Sequence, residues 1–119
     1  FRDLIEQGAH LEFGSDWTVA PLDPLLGVYA AVTRRTLDDK NPGGWFAAQK
    51  VTVEEALRAY TAENAYGAFA EGRRGVLKPG ARADVVLLDR DITAIDPVDI
   101  PQAQVLATVA GGRVVYRAP

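Results

Sequence analysis

The side chains that could carry out chemistry are concentrated in one stretch, HLEFGSDWTVAPLDP, which begins at His10. Its polar residues His10, Glu12 and Asp16 alternate with apolar ones, so in an extended chain they share one face. Asp16 stands where this alternation gives way to a loop. A carboxylate at such a position can bind a cation or accept a proton, but it can equally serve as a cap or turn residue. The residues of this stretch leave both roles open.

A complete metal site within the chain is not expected. Structural zinc sites take about four protein ligands and catalytic ones about three, whereas His10 is the only histidine and cysteine is absent. Alternate residues of a strand lie ~6.6 Å apart, too far for His10, Glu12 and Asp16 to bind one ion together. We therefore expect His10 to be a polar structural residue. Ser15 has no histidine partner at a predictable position, so a nucleophilic triad is not expected either.

The composition indicates a globular protein and excludes several partners. Hydrophobic residues make up 48% and charged residues 24% of the 119 residues. A formal net charge of −3 and the lack of basic runs argue against a nucleic-acid partner. No apolar stretch approaches the ~20 residues that span a bilayer, so we expect a soluble, cytoplasmic protein with no membrane partner. Because the chain contains no methionine, we also expect it to be a fragment of a longer product.

Helices are predicted before and after the Asp16 stretch. The segment from Phe1 to Gly8 has the spacing of the last turns of an amphipathic helix. Asp23 as N-cap and Pro24 as first helical residue predict a second helix. A polar strand face between two helices suits a sheet that lines a cavity.

A long loop and a further helix come next. Residues 36–50 contain Asn-Pro-Gly-Gly and predict an irregular loop, long enough to face a substrate. Its Trp45-Phe46 pair could close over a ligand or anchor the loop to the body. Thr52 with Glu55 three residues later is a capping box, which predicts one helix continuing toward Gly67.

From Gly72 onward the pattern is typical of β structure. Pro79-Gly80 predicts a turn, and residues 85–88 form a β-branched apolar run. Gly111-Gly112 separates two alternating segments, which predicts a hairpin with positive φ at both glycines. Helices followed by strands indicate a change of architecture near Gly72.

Six short motifs follow one another with an order and spacing that are more specific than any one of them. They are Gly-Ser-Asp at 14–16, Asn-Pro-Gly-Gly-Trp at 41–45, Thr-Ala-Glu-Asn-Ala at 61–65, Gly-Val-Leu-Lys-Pro-Gly at 75–80, Ala-Asp-Val-Val at 83–86 and Gly-Gly-Arg-Val-Val-Tyr at 111–116. Together they resemble the C-terminal end of the amidohydrolase superfamily, and its amidohydrolase family 3 branch most of all. The resemblance covers nearly the whole chain.

The resemblance implies an α/β fold and a place for Asp16 within it. Residues 1–71 would be the C-terminal end of a (β/α)8 TIM barrel, and residues 72–119 the C-terminal part of a β-sandwich. Residues 10–15 would be the eighth barrel strand. Asp16 would then lie at the C-terminal mouth of the barrel, where such enzymes keep their active sites.

The resemblance also implies a chemistry for this aspartate. At the position of Asp16 the family has a catalytic residue that binds a divalent metal, here expected to be zinc. The same carboxylate takes the proton from the water that attacks a C–N bond of a small-molecule amide or imide. The other metal ligands of the family would precede Phe1, and His10 matches none of them.

Two functions of different classes remain open from the sequence. The first is a metal-dependent hydrolase of C–N bonds, of which this chain is the C-terminal part. The second is a non-catalytic, β-rich association module with a helical preface. A single barrel strand exposes its edges and its apolar face, so we also expect residues 1–119 to form a homo-oligomer.

Overall fold

A computed structural model describes residues 1–119 and shows helices in the first half and a small sheet in the second. The helices are α1 (Arg2–Glu6), α2 (Pro24–Thr33), α3 (Val53–Tyr60) and α4 (Ala62–Gly67). The strands are β1 (Val85–Leu88), β2 (Val105–Ala110) and β3 (Arg113–Arg117). Short 3₁₀ turns occupy Ala47–Gln49 and Pro97–Gln102. None of the helices has the length and apolar character that a membrane crossing requires.

The start of α2 is confirmed as predicted. Asp23 is the N-cap, its Oδ1 accepts a hydrogen bond from Leu25 N at 2.9 Å, and Pro24 is the first helical residue. The proline ring fixes a helical φ where no backbone donor is needed, so the helix begins at a defined residue. Its apolar stripe, which includes Leu25 and Val28, is buried.

The predicted helix after Thr52 begins as expected but is not continuous. The capping box is present, since Thr52 Oγ1 accepts from Glu55 N at 3.2 Å and Glu55 Oε2 accepts from Thr52 N at 2.7 Å. The prediction of a single helix is wrong, because Thr61 (φ −127°, ψ −82°) separates α3 from α4. Two contacts are made at the break: Thr61 Oγ1 donates to Leu57 O at 2.7 Å, and the backbone of Gly75 packs directly against Thr61.

Residues 10–15 were expected to form a strand, and in this structure they do not. The alternation is present, since Leu11 and Phe13 are half-buried while His10 and Glu12 are exposed. The backbone, however, is paired with helices. Phe13 N donates to a carbonyl of α3 and Phe13 O accepts from a side chain of α4, so no strand ladder forms. The TIM barrel is therefore not seen in residues 1–119 and stays a proposal.

The C-terminal strands form one antiparallel sheet in the order β1-β2-β3. The hairpin between β2 and β3 is confirmed, with φ of +56° at Gly111 and +80° at Gly112. The turn at Pro79-Gly80 is also confirmed: Ala81 N donates to Lys78 O at 3.1 Å, and Gly80 has φ of +85°.

Apolar side chains on this sheet remain uncovered. The β1 residues Val86 and Leu87 and the β3 residues Val114, Val115 and Tyr116 are between 48% and 62% exposed. Residues 1–119 contribute no second sheet that packs on them. The β-sandwich consequently stays a proposal.

The buried core joins α2 and α3 to the segment that connects β1 with β2. Its members are Leu25, Val28, Tyr29, Ala31, Val32, Val51, Val53, Ala56, Ile92, Ile100 and Ala103. Residues from both sides of position 72 thus share one core. The division into domains 1–71 and 72–119 stays a prediction.

Candidate functional site

Asp16 lies in a tight turn at the end of the segment that α3 and α4 hold. Its φ is +49°, a left-handed conformation that aspartate tolerates better than most residues. The turn is closed by the backbone, because Val19 N donates to Asp16 O at 2.7 Å. The side chain of Asp16 is exposed. Its carboxylate does not cap this turn in the way that the Asp23 carboxylate caps α2, which leaves both oxygens available to a ligand.

The donor set of this chain does not by itself fit a metal ion. Residues 1–119 contain no group of three or more His, Cys, Asp or Glu side chains that could hold one. The imidazole of His10 is engaged by Glu63 rather than directed at a shared site with Asp16. A catalytic zinc takes about three protein ligands, so Asp16 can supply only part of such a site.

A cluster of polar and aromatic residues lies just before the turn, and we call it the Glu63 cluster: Glu63, His10, Arg58 and Tyr66. Glu63 belongs to α4 and is buried, with 8% of its surface exposed. Its Oε2 accepts from His10 Nδ1 at 2.5 Å, and its Oε1 accepts from Arg58 Nε at 2.5 Å. The His10 ring stacks on Tyr66 with centroids 4.1 Å apart. Glu63 therefore ties α3 and α4 to the segment that leads to Asp16.

The electrostatics of the cluster favour the ionised carboxylate. The hydrogen bond from His10, followed by that from Arg58, lowers the pKa of Glu63, and both outweigh the opposing effect of burial. An ionised carboxylate can accept hydrogen bonds but cannot donate them, so the donor in this pair is the Nδ1–H group of His10. A cavity of about 170 Å³ adjoins the cluster and is lined in part by Glu71 and Arg74.

Two hydrogen bonds to the backbone of Phe13 hold the same segment three residues after His10. Phe13 N donates to Ala59 O at 3.2 Å, and Asn64 Nδ2 donates to Phe13 O at 2.9 Å. The second amide hydrogen of Asn64 is directed at Tyr60 O, 3.3 Å away. The Asn64 side chain thereby replaces a neighbouring strand as the partner of the Phe13 carbonyl.

The aromatic residues of the predicted substrate-facing loop are exposed. Trp45 and Phe46 contact each other edge to face, with centroids 4.7 Å apart, and both are about two-thirds exposed (65% and 66%). The guanidinium of Arg34 lies 5.2 Å from the Trp45 ring centroid and 4.8 Å from that of Phe1. The pair is thus tied to the body at one ring while most of its surface faces outward.

Two of the other motifs have a structural role in the sheet. The carboxylate of Asp84 accepts from Gly111 N at 2.7 Å and from Arg82 Nε at 2.9 Å. The bond from Gly111 is the main cause that lowers the pKa of Asp84. Gly112 N donates to Ala83 O at 2.9 Å. The Ala-Asp-Val-Val motif therefore holds the Gly-Gly turn.

The Glu63 cluster is the part of the site that sequence reasoning missed. Its carboxylate, Glu63, and its imidazole, His10, are 53 positions apart in the sequence, and no periodic pattern links them. A signal was available in the Thr-Ala-Glu-Asn-Ala motif, where Glu63 and Asn64 occupy adjacent positions on a helix whose other residues are mostly small or apolar. A carboxylate in such surroundings requires a partner.

Comparison with known proteins decides the family. A model described as the amidohydrolase family matches residues 1–116 of the 119. The chain belongs to the amidohydrolase family. The resemblance carried by the six motifs is thereby confirmed, and with it a hydrolase family whose members generally use divalent metals. No solved structure matches the chain significantly.

One of three similar proteins is named for the cleavage of a C–N bond. YtcJ of Bacillus subtilis, named as an amidohydrolase, is 34% identical over 98% of this chain and 22% of its own length. The protein LONG AFTER FAR-RED 3 of Arabidopsis thaliana is 35% identical over 98% of this chain and 19% of its own length. The N-substituted formamide deformylase of Arthrobacter pascens is 28% identical over 97% and 21%, respectively. The chain thus spans about a fifth of the length of these relatives.

Proposed function

We propose that this chain is the C-terminal part of an amidohydrolase that cleaves C–N bonds of small-molecule amides or imides, and that Asp16 is a catalytic residue of its active site. The observation that carries the proposal is the exposed carboxylate of Asp16, which does not cap its own turn, within the Gly-Ser-Asp motif of a chain that matches the family over residues 1–116. The relative named as a formamide deformylase supports an amide as the substrate class.

The chemistry proposed for Asp16 is proton transfer. An ionised carboxylate accepts a proton from the attacking water and passes it to the departing nitrogen, and such general acid–base catalysis contributes about 10²–10⁴-fold in rate. The proposal also gives Asp16 the role of one ligand to a divalent ion, with zinc as the expected metal. The remaining ligands would have to come from residues outside 1–119, because the chain holds no group of three.

The test compares Asp16→Asn with Asp23→Asn in the complete gene product, using a panel of N-substituted formamides and cyclic amides as substrates. Asparagine keeps the shape of aspartate but cannot act as a base at ordinary pH. We expect Asp16→Asn to lower kcat by about 10²–10⁴-fold with little change in melting temperature, because the side chain is exposed. Asp23 caps α2, and asparagine is also a good cap, so Asp23→Asn should keep both rate and stability.

A second candidate is the association module, and the uncovered apolar side chains of β1 and β3 are the observation that favours it. Under this alternative, Asp16 has no catalytic role. Near-normal kcat for both aspartate variants would refute the catalytic role of Asp16. No activity of the wild type on the whole panel would refute the hydrolase proposal in favour of association through the sheet.

A further inference from the structure

The segment that bears Asp16 has no strand neighbours and is held by helices instead. Three of these contacts are made by side chains of one helix. Glu63 binds His10, Asn64 binds the carbonyl of Phe13, and Tyr66 stacks on His10. Glu63, Asn64 and Tyr66 all belong to α4, so one short helix fixes the segment at two points, six and three residues before Asp16.

One of these contacts involves a buried charged group. Glu63 is only 8% exposed although its side chain is acidic. A buried carboxylate without partners is unfavourable, so the two hydrogen bonds from His10 and Arg58 are required for Glu63 to occupy this position. Since one of those partners is on the Asp16 segment, the segment cannot shift without leaving a buried charge short of a donor.

We propose that Glu63 and Asn64 are positioning residues, which act through His10 and Phe13 to set the place of Asp16 in the active site. This inference rests on the catalytic role proposed above for Asp16. Neither residue needs to touch the substrate. Their effect on rate comes from geometry: a misplacement of about 1 Å can cost ~10²-fold, and groups that orient a catalytic or ligating side chain typically contribute about 10–100-fold.

The first test weakens each of the two hydrogen-bonded contacts with the segment by a near-isosteric substitution in the complete gene product. Glu63→Gln takes away the charge, and Asn64→Asp takes away both amide donors. We expect kcat on N-substituted formamides to fall by about 10–100-fold in each variant. Gln102→Glu is the matched control, because the Gln102 amide also donates to a side-chain or backbone oxygen, Asp99 Oδ1 at 3.0 Å, and this exposed turn makes no hydrogen bond to residues 10–16. Its kcat should equal that of the wild type.

A pair of His10 variants separates positioning from general loss of structure. Asparagine places an amide donor close to the position of His10 Nδ1, whereas alanine places none. We expect His10→Ala to lower kcat to the same extent as Glu63→Gln, and His10→Asn to restore most of the rate. A role in folding alone would lower the melting temperature of His10→Ala while leaving the kcat of the folded fraction unchanged.

Hydrogen exchange of the backbone amides gives a readout that does not depend on activity. The reporters are Phe13 N, which donates to Ala59 O, and Val19 N, which closes the Asp16 turn. We expect exchange at both amides to accelerate about 5–30-fold in Glu63→Gln and Asn64→Asp, the factor that the loss of one hydrogen bond produces. Exchange in β1–β3 should not change.

The results separate this inference from the proposed function. If Asp16→Asn lowers kcat but the Glu63, Asn64 and His10 variants stay within twofold of the wild type, positioning by α4 is refuted and the catalytic role of Asp16 stands. Unchanged exchange at Phe13 and Val19 in Glu63→Gln and Asn64→Asp refutes it as well. If Asp16→Asn is fully active, the proposed function fails first, and the inference fails with it.

Discussion

Replacement of Gly75 by alanine should destabilise the protein far more than the same replacement at Gly80. Both glycines have left-handed backbones, with φ of +70° and +85°, respectively. They differ in their surroundings. A Cβ on Gly75 would lie 2.7 Å from the carbonyl carbon of Thr61 and 2.9 Å from the Cα of Ala62, whereas a Cβ on Gly80 would have nothing within 4 Å.

The magnitude follows from two separable costs. An L-residue in the left-handed region costs about 1–2 kcal/mol, and this cost applies to both variants. Overpacking adds about 1–3 kcal/mol, and it applies only at Gly75, where the clashing atoms belong to the backbone of the α3–α4 junction. A rotating side chain cannot relieve such a clash. The unfolding free energy of Gly75→Ala should therefore be lower than that of Gly80→Ala by about 1–3 kcal/mol.

Urea unfolding followed by far-ultraviolet circular dichroism measures this difference directly. The two variants and the wild type are compared as the complete gene product under one set of conditions. Equal losses in both variants would refute the reasoning, because they would show that the left-handed backbone alone accounts for the glycine at position 75. A loss at Gly80→Ala alone would contradict the geometry of the junction itself.

Two further predictions concern the segment around β1. The hydrogen bonds from Arg90 and from the backbone N–H of Gln104 lower the pKa of Asp89 from 3.8 to about 2. Because the folded state favours the ionised carboxylate, Asp89 stabilises the fold at pH values above about 4, and this stabilisation is lost as the pH falls from about 4 to about 2. Melting temperatures of wild type and Asp89→Asn should thus differ at neutral pH and converge near pH 2. Ile100 is fully buried, so Ile100→Ala should lower the unfolding free energy by about 2–5 kcal/mol. Val98, in the same turn, is 40% exposed, so Val98→Ala should lower it by only about 0.5 kcal/mol. Equal losses in urea unfolding would contradict the assignment of Ile100 to the core.

The features predicted correctly from sequence are those that neighbouring residues determine. The Asp23 cap, the Thr52–Glu55 capping box and the Gly111-Gly112 hairpin each depend on residues within three or four positions. The residue types alone determine these features: the caps need a side-chain acceptor for free backbone donors, and the hairpin needs a backbone conformation that only glycine adopts easily.

The features that the sequence did not predict depend on distant partners. Alternation correctly indicated that Leu11 and Phe13 are less exposed than their neighbours, but it could not show that Asn64, 51 positions from Phe13, binds the Phe13 carbonyl in place of a strand. The close approach of Gly75 to the helix break at Thr61 likewise joins residues 14 positions apart. Asp16 was singled out by its motif, whereas Glu63, which ties down the same segment, has a role that only the folded chain displays.

The hydrogen bond from Gly111 N to Asp84 should constrain how the sequence evolves. It joins two motifs that lie 27 positions apart, and it is reinforced by the bond from Gly112 N to Ala83 O. A lineage that replaced Asp84 with an apolar residue would leave the turn amide without its acceptor and would weaken the selection for paired glycines. The two motifs should accordingly be inherited and lost together, as one heritable unit.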